Sequence, residues 1–179
     1  EIMMRSGEMA RLLPDLLKGS DLVVAGMAGM GGAFSVAEKL GIPVVLAYPF
    51  PFTPTTAFAS PLVPGLPFGG IINRLSFHIT RQVFWQTSKM PDSIIRQSLG
   101  MPKSSFWGPF RSLTQQQVPA LYGYSQYVLP RPDDWAAPNI VTGYWFLDAT
   151  SDWAPPSDLV DFLEAGSKPI YIGFGSMGN

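Results

Sequence analysis

The sequence lacks cysteine and has a single histidine, His78, among its 179 residues. Without thiols the chain can form no disulfide, no thiolate nucleophile and no zinc–thiolate site. One imidazole also excludes a histidine-rich metal centre within these residues, so we expect no metal site. Charged residues are scarce at 14%, against 46% hydrophobic residues. Because the usual charged share is about a quarter, we expect an unusually apolar exposed surface.

Long runs of one charge sign and long apolar runs are also missing. The formal net charge is -1, from 12 Lys plus Arg and 13 Asp plus Glu. This balance removes the main driving force for nucleic-acid binding, and we expect no nucleic-acid partner. A membrane-spanning helix needs about 20 apolar residues in a row. No apolar run in this sequence approaches that length. The cysteine-free sequence is compatible with an intracellular protein, and we expect a cytoplasmic location, with peripheral membrane association left open.

Two short apolar runs flank a helical segment in the first part of the chain. Residues 21–26 and 42–47 have the composition of buried strands, and residues 32–41 predict a helix that ends at Gly41. This order predicts a βαβ unit, and hence an α/β fold with a Rossmann-like parallel sheet and flanking helices. The spacing of apolar residues also predicts helices over residues 2–18, 70–88, 92–99 and 159–166, and strands over residues 120–124, 127–129, 140–142 and 170–172.

A proline-rich segment, residues 48–67, follows the second predicted strand. Six prolines and four aromatic residues among twenty predict a long stiff loop. In open α/β sheets, ligands bind at the carboxyl ends of the strands, where this loop begins. Its aromatic side chains suit an apolar ligand or a membrane surface, and core packing accounts for about half of the aromatic residues here.

Three further features could take part in binding or catalysis, but a different role is favoured for each of them. Residues 26–32 resemble a dinucleotide-binding turn, but Phe34 occupies the third glycine position, so close helix–strand packing is favoured. His78 has no carboxylate within a helical turn, which favours a packing or ligand-lining role over a general base. The adjacent Asp133 and Asp134 are more typical of a solvated turn than of a glycoside-hydrolysing pair.

The last eleven residues combine an apolar strand pattern with a glycine-rich turn. Gly173, Gly175 and Gly178 leave backbone N–H groups free to approach an anion, and Ser176 adds a hydroxyl donor. Such turns bind phosphate groups when a helix N-terminus follows. We interpret the chain as an internal piece of a larger protein.

Three segments together resemble one family. They are the run from Asp21 through Ala37-Glu-Lys-Leu-Gly-Ile-Pro43, the loop Tyr48-Pro-Phe-Pro-Phe-Thr-Pro-Thr55, and Lys168-Pro-Ile-Tyr-Ile-Gly-Phe-Gly-Ser-Met177. Their order is similar to that of nucleotide-sugar-dependent GT-B glycosyltransferases, in the branch that contains sterol glucosyltransferases and antibiotic glycosyltransferases. The resemblance covers nearly the whole chain.

The resemblance implies a two-domain GT-B architecture. Residues 1–147 would be the C-terminal part of the acceptor-binding domain, residues 148–158 the interdomain linker, and residues 159–179 the start of the donor-binding domain. The catalytic base would lie outside these residues, so no catalytic residue is assigned. These residues alone should transfer no sugar.

The family's site residues transfer to five positions. Gly175 and Ser176 would lie against the donor diphosphate, and Phe50, Phe52 and Thr53 would contact the acceptor. The implied reaction moves a hexose from a nucleotide diphosphate sugar, similar to UDP-glucose, to a hydroxyl of a lipophilic acceptor such as a sterol. The nucleotide sugar is a co-substrate, and no cofactor is expected. The alternative from another class is a non-catalytic lipid-binding α/β module.

Overall fold

The structure, a computed structural model, describes residues 8, 12–63, 69–147 and 154–173. The chain forms two compact units, Glu1–Trp145 and Phe146–Asn179. The assignment of an acceptor domain, a linker and a donor domain to this chain stays a prediction.

The first unit is built on a parallel sheet of four strands in the order β1-β2-β3-β4. The strands are β1 (Val23–Ala25), β2 (Val44–Tyr48), β3 (Ala120–Tyr122) and β4 (Asn139–Val141). Leu46 of β2 lies between Ala25 of β1 and Ala120 of β3. Flanked by helices, this sheet confirms the predicted α/β Rossmann-like arrangement.

Helices cover one face of this sheet. They are α1, of which residues 8 and 12–17 are described, α2 (Ala33–Leu40), α3 (Ile71–Ser98) and α4 (Phe110–Gln115). Side chains of α2, α3 and α4 pack against alternate strand residues in one core. On the opposite face, Val24 is 62% and Ile140 47% exposed. The described helices therefore leave this second face accessible to solvent at both positions.

Two helices predicted over residues 70–88 and 92–99 are instead one continuous helix, α3. Pro91 lies inside it, although proline lacks an N–H group and crowds the preceding turn. Burial anchors the turn that follows: Asp92 is 2% exposed and accepts a 2.6 Å hydrogen bond from the Ser35 hydroxyl of α2. Tertiary packing overrides the helix-breaking tendency of proline here.

Glycines between β1 and α2 allow α3 to approach closely. A short 3-10 helix, Met27–Gly31, fills this turn. A Cβ atom on Gly32 would collide with Cδ1 of Ile95, and one on Gly29 would lie 3.0 Å from the Ala25 Cβ. The glycines of this turn therefore allow close helix packing, which is the role that the sequence favours. At its other end, α2 stops at Gly41, which adopts the left-handed conformation with φ 68°.

The predicted strand over residues 127–129 is wrong. Residues 126–128 form a turn, in which the Val128 N–H donates to the Ser125 carbonyl at 3.0 Å. Tyr127 donates its N–H to the Ser125 hydroxyl at 3.2 Å, and its side chain is 93% exposed. Local hydrogen bonding of a serine to nearby backbone competes with strand formation here.

The second unit contains helix α5 (Ser157–Glu164). It lies where the sequence predicts a helix over residues 159–166. The strand predicted over residues 170–172 is wrong: these residues form no strand, and their side chains are 77% to 91% exposed. A strand forms only when it can pair with a neighbouring strand, and the described residues supply no partner here. The predicted diphosphate-binding residues, Gly175 and Ser176, lie outside the described residues.

No helix in the described part of the chain combines the length and hydropathy that crossing a bilayer requires.

Candidate functional site

The loop that follows β2 begins with aromatic side chains that belong to the core. Phe52 is 1% exposed, and its ring centroid lies 5.1 Å from that of Tyr48, 5.8 Å from Phe84 and 6.0 Å from Phe110. Phe50 is partly buried against the same core. Acceptor contact by these two residues stays a prediction. For Phe52, such contact would require the ring to leave the core.

Thr53 makes five hydrogen bonds, which connect the loop to the sheet, to α3 and to Trp135. Its hydroxyl accepts from Tyr122 at 2.6 Å and from Arg81 at 3.4 Å, and donates to Asn139 at 3.1 Å. Its N–H donates to the Tyr122 oxygen, and its carbonyl accepts from the Trp135 ring N–H. A hydroxyl has one proton and two lone pairs. The Thr53 hydroxyl therefore has no position left for a ligand, and acceptor contact by Thr53 stays a prediction.

Asp134 holds the next part of the loop. Its carboxylate accepts from the Thr55 hydroxyl at 2.6 Å and from the Thr56 N–H and hydroxyl at 2.8 and 3.0 Å. Burial raises the pKa of Asp134, but these hydrogen bonds and the charge of Arg74 outweigh it, so the pKa lies below its usual value. Asp134 is exposed, as the sequence predicts, and it also fixes the loop.

Arg81 is a cation enclosed by aromatic rings. Its guanidinium carbon lies 5.6 Å from the Phe52 ring centroid and 5.0 Å from that of Phe110, and Nε donates to the Phe52 carbonyl at 2.9 Å. Burial lowers the pKa of Arg81, and Tyr122 and Tyr48 partly offset this. Within the described residues, no carboxylate forms an ion pair with it.

Sequence reasoning missed Arg81 as a site residue. A usable signal was present, because Phe77 and Phe84 lie four and three residues away and place Arg81 on the buried side of α3. Asp134 gave no comparable signal. Its partners, Thr55 and Thr56, are distant in sequence, and only the folded chain brings the three residues together.

Two cavities adjoin this cluster. The inner cavity, of about 260 Å³, lies over the sheet face and is lined by Thr53, Asp134 and three basic side chains of α3, Arg74, His78 and Arg81. The outer cavity, of about 490 Å³, is bounded mainly by α3, Trp107 and α4. Four residues line both cavities: His78, Arg81, Phe110 and Thr114.

His78 is the titratable residue at this boundary. Burial lowers its pKa, and the positive charges of Arg81 and Arg74 lower it further, so the imidazole is neutral at pH 7. Within the described residues its ring makes no hydrogen bond. A neutral imidazole offers one donor and one acceptor. His78 therefore has free polar groups at the boundary of the two cavities, and its ligand-lining role stays a prediction.

The described residues contain no group of three or more His, Cys, Asp or Glu side chains placed to hold a metal ion. The cavities combine aromatic side chains, such as Trp107 and Phe110, with charged and polar ones, among them Arg81 and His78. They can therefore accept a molecule that has both apolar and polar surface.

Comparison with known proteins identifies relatives. No protein-family model matches the chain. Sterol 3-beta-glucosyltransferase of Glomerella lagenarium is 36% identical over 166 residues, which is 89% of this chain and 11% of that protein. The enzyme of the same name from Neurospora crassa is 37% identical over 167 residues, or 89% of this chain and 10% of that protein.

A plant relative extends the similarity beyond fungi. Sterol 3-beta-glucosyltransferase UGT80A2 of Arabidopsis thaliana is 33% identical over 159 residues, which is 88% of this chain and 24% of that protein. The chain thus spans about a tenth of the fungal relatives' length and about a quarter of the plant relative's length. The resemblance predicted from three sequence segments is confirmed: over nearly all its length, this chain is similar to one segment of sterol 3-beta-glucosyltransferases.

Proposed function

We propose that the protein transfers a hexose, glucose, from a nucleotide diphosphate sugar such as UDP-glucose to the hydroxyl of a sterol. The observation that supports this most is the 33% to 37% identity to sterol 3-beta-glucosyltransferases over 88% to 89% of the chain. In this reaction the acceptor oxygen forms a bond to the anomeric carbon of the sugar. The bond between that carbon and the diphosphate breaks, and a base takes the hydroxyl proton. No described residue is assigned as that base.

The adjoining inner and outer cavities support an acceptor site in the first unit. Small-molecule sites are commonly about 300–1,000 Å³ and mostly apolar with a few polar groups, and the two cavities together fall in that range. Trp107 and Phe110 offer apolar contact. A sterol with a single hydroxyl needs one or two polar partners, and the free imidazole of His78 suits that hydroxyl.

The donor side of the proposal rests on resemblance. Gly175 and Ser176 would contact the diphosphate through backbone N–H groups and a hydroxyl. A cytoplasmic location belongs to the same proposal, since the cysteine-free sequence needs no oxidising compartment.

The test is a transfer assay with the whole protein, radiolabelled UDP-glucose and a detergent-solubilised sterol. We expect a labelled sterol glucoside, with one UDP released per glucoside formed. The matched control is the same sterol skeleton without its 3-hydroxyl, which should give no product. Sterol binding at full strength without any turnover, across several nucleotide sugars, would overturn the proposal in favour of a lipid-binding module.

A further inference from the structure

Two tyrosines on adjacent strands have buried rings, but their hydroxyl groups differ. Tyr48 of β2 and Tyr122 of β3 are partners in the sheet register, with ring centroids 5.9 Å apart. The Tyr122 hydroxyl donates to the Thr53 hydroxyl at 2.6 Å and accepts from the Thr53 N–H at 3.0 Å. The Tyr48 hydroxyl makes no hydrogen bond with any described residue, although Tyr48 is only 1% exposed. Buried polar groups are normally hydrogen-bonded, so this hydroxyl lacks a partner that it needs.

Tyr48 lines the inner cavity, so a partner can reach it there. It does not line the outer cavity, whereas His78 lines both, and Tyr48 therefore lies deeper than His78. Burial raises the pKa of Tyr48, and the positive charge of Arg81 opposes this only in part. The hydroxyl therefore keeps its proton at neutral pH and can donate a hydrogen bond.

Arg81 supplies further free donors to the same cavity. It uses two of its five N–H donors, one to the Phe52 carbonyl and one to the Thr53 hydroxyl, so three remain without a partner among the described residues. The Phe52 ring lies against both side chains. Its centroid is 5.1 Å from that of Tyr48 and 5.6 Å from the guanidinium carbon of Arg81. Tyr48 and Arg81 thus present unused O–H and N–H donors to one cavity.

The rest of the inner cavity combines apolar walls with an excess of positive charge. Phe110 and Trp135 supply apolar surface. The charged side chains that line the cavity are Arg74, Arg81 and Asp134, and Asp134 already accepts three hydrogen bonds from the loop. A molecule that fits this lining is mostly apolar and carries an oxygen that accepts hydrogen bonds.

We propose that Tyr48 and Arg81 form a subsite that binds a carbonyl or carboxylate oxygen of an otherwise apolar small molecule. Such an oxygen accepts a hydrogen bond from each of the two residues and brings no donor of its own. A segment of polypeptide fits the subsite less well, because its own N–H groups would need acceptors in the cavity.

The subsite rests on the lining of the inner cavity and does not depend on the proposed reaction. It adds a second polar contact to the one that His78 offers at the boundary of the two cavities. Under the proposed function, a sterol with a ketone in addition to its 3-hydroxyl should therefore bind more tightly than the same sterol without the ketone.

The test measures the binding of three small probes to the whole protein by ligand-observed NMR. Acetophenone carries a carbonyl oxygen, benzoate carries a carboxylate, and cumene has the shape of acetophenone without its oxygen. We expect acetophenone and benzoate to bind at least about 10-fold more tightly than cumene, since each can form two hydrogen bonds, one of them with a charged donor. The two oxygen-bearing probes identify which of the two groups the subsite prefers.

Tyr48→Phe removes the free hydroxyl and keeps the ring. It should weaken acetophenone binding about 2- to 10-fold, the range for one neutral hydrogen bond, and leave cumene binding unchanged. The matched control is Tyr124→Phe. It removes a hydroxyl that also lacks a partner among the described residues but lines neither cavity. The control variant should bind all three probes as the wild type does.

Stability separates a ligand-binding role of Tyr48 from a structural one. Tyr48→Phe should not lower the midpoint of chemical denaturation, because its hydroxyl makes no hydrogen bond with the described residues. Tyr122→Phe should lower the midpoint, because two hydrogen bonds with Thr53 are lost. A fall of the same size in Tyr48→Phe would contradict the proposal.

Two further results would overturn it. The first is equal affinity of the wild type for all three probes, or no binding of any of them, as expected when water or a further segment of the polypeptide occupies the subsite. The second is a preference for the oxygen-bearing probes that Tyr48→Phe retains in full. Sugar transfer is assayed separately with detergent-solubilised sterol, so a failure of the subsite and a failure of the proposed reaction are distinguishable.

Discussion

Single residues around the inner cavity divide into those whose polar atoms are engaged and those whose polar atoms are free. The Thr53 hydroxyl uses its proton and both lone pairs within the fold. Asp134 accepts three hydrogen bonds from Thr55 and Thr56. By contrast, His78 lines both cavities with a neutral ring. We therefore expect ligand discrimination to depend on His78 more than on the polar residues of the loop.

A pH profile tests this role of His78. Its lowered pKa means that the ring gains a proton only below the ordinary imidazole value of about 6.5. The proton adds a third positive charge beside Arg74 and Arg81, which disfavours an apolar acceptor. The acceptor KM should be constant near neutral pH and rise as the pH falls, with kcat little changed. His78→Gln should flatten the profile, since glutamine does not titrate.

A second variant of His78 distinguishes a lining residue from a general base. Loss of a base lowers the rate about 10²–10⁴-fold, and we expect His78→Ala to lower it by much less. A fall in kcat of that size in a folded variant, or a KM independent of pH in the wild type, would show that this assignment is wrong.

At the scale of helices and strands, sequence patterns predict those features that depend on residues close together in the chain. The end of α2 was predictable because Gly41 is a glycine, which readily adopts the left-handed φ of 68° found there. The parallel sheet was predictable because a helix joins two apolar strands. The continuity of α3 through Pro91 depends on buried contacts of Asp92 with Ser35, which are distant in sequence. Residues 127–129 have strand composition, but hydrogen bonds to Ser125 form a turn instead.

The site was only partly predictable for the same reason. The position of a ligand site beside the loop after β2 follows from fold topology. The loop side chains that face the cavity cannot be predicted in this way, because side-chain direction in an irregular loop follows no repeating pattern. Phe52 packs into the core, whereas Arg81 reaches the cavity from α3.

Contact between helices α2 and α3 gives a prediction at this scale. Gly32→Ala places a Cβ against Cδ1 of Ile95 and should destabilise the fold by about 1–3 kcal/mol, the usual cost of overpacking. Ile95→Val removes that Cδ1 atom, so the double variant should be less destabilised than the two single changes added together. Gly166→Ala is the control, because its Cβ would meet nothing within 4 Å. Chemical denaturation measures the free energy of unfolding of the wild type and the four variants. Strictly additive effects of the two single changes would exclude the contact as the cause.

At the scale of the whole molecule, the proposed reaction assigns donor and acceptor to different parts of the chain. Ser176→Ala in the whole protein should weaken nucleotide diphosphate binding by about 10- to 150-fold, since a hydrogen bond to a charged group contributes about 1.5–3 kcal/mol. Phe50→Ala should raise the acceptor KM and leave nucleotide affinity unchanged. Calorimetric titration and acceptor kinetics measure the two effects. Normal nucleotide binding by Ser176→Ala, with loss of it in Phe50→Ala, would reverse the assignment.

The connection between β2 and β3 also bears on how the chain reaches its fold. β1, α2 and β2 lie within residues 23–48, whereas residues 49–119 separate β2 from β3. Closing the longer loop costs more chain entropy, and contacts between distant residues form more slowly. During synthesis the first two strands can pair while β3 is still absent. In that interval β2 presents an unpaired edge to other unfinished chains, so the yield of folded protein should fall as its rate of synthesis rises.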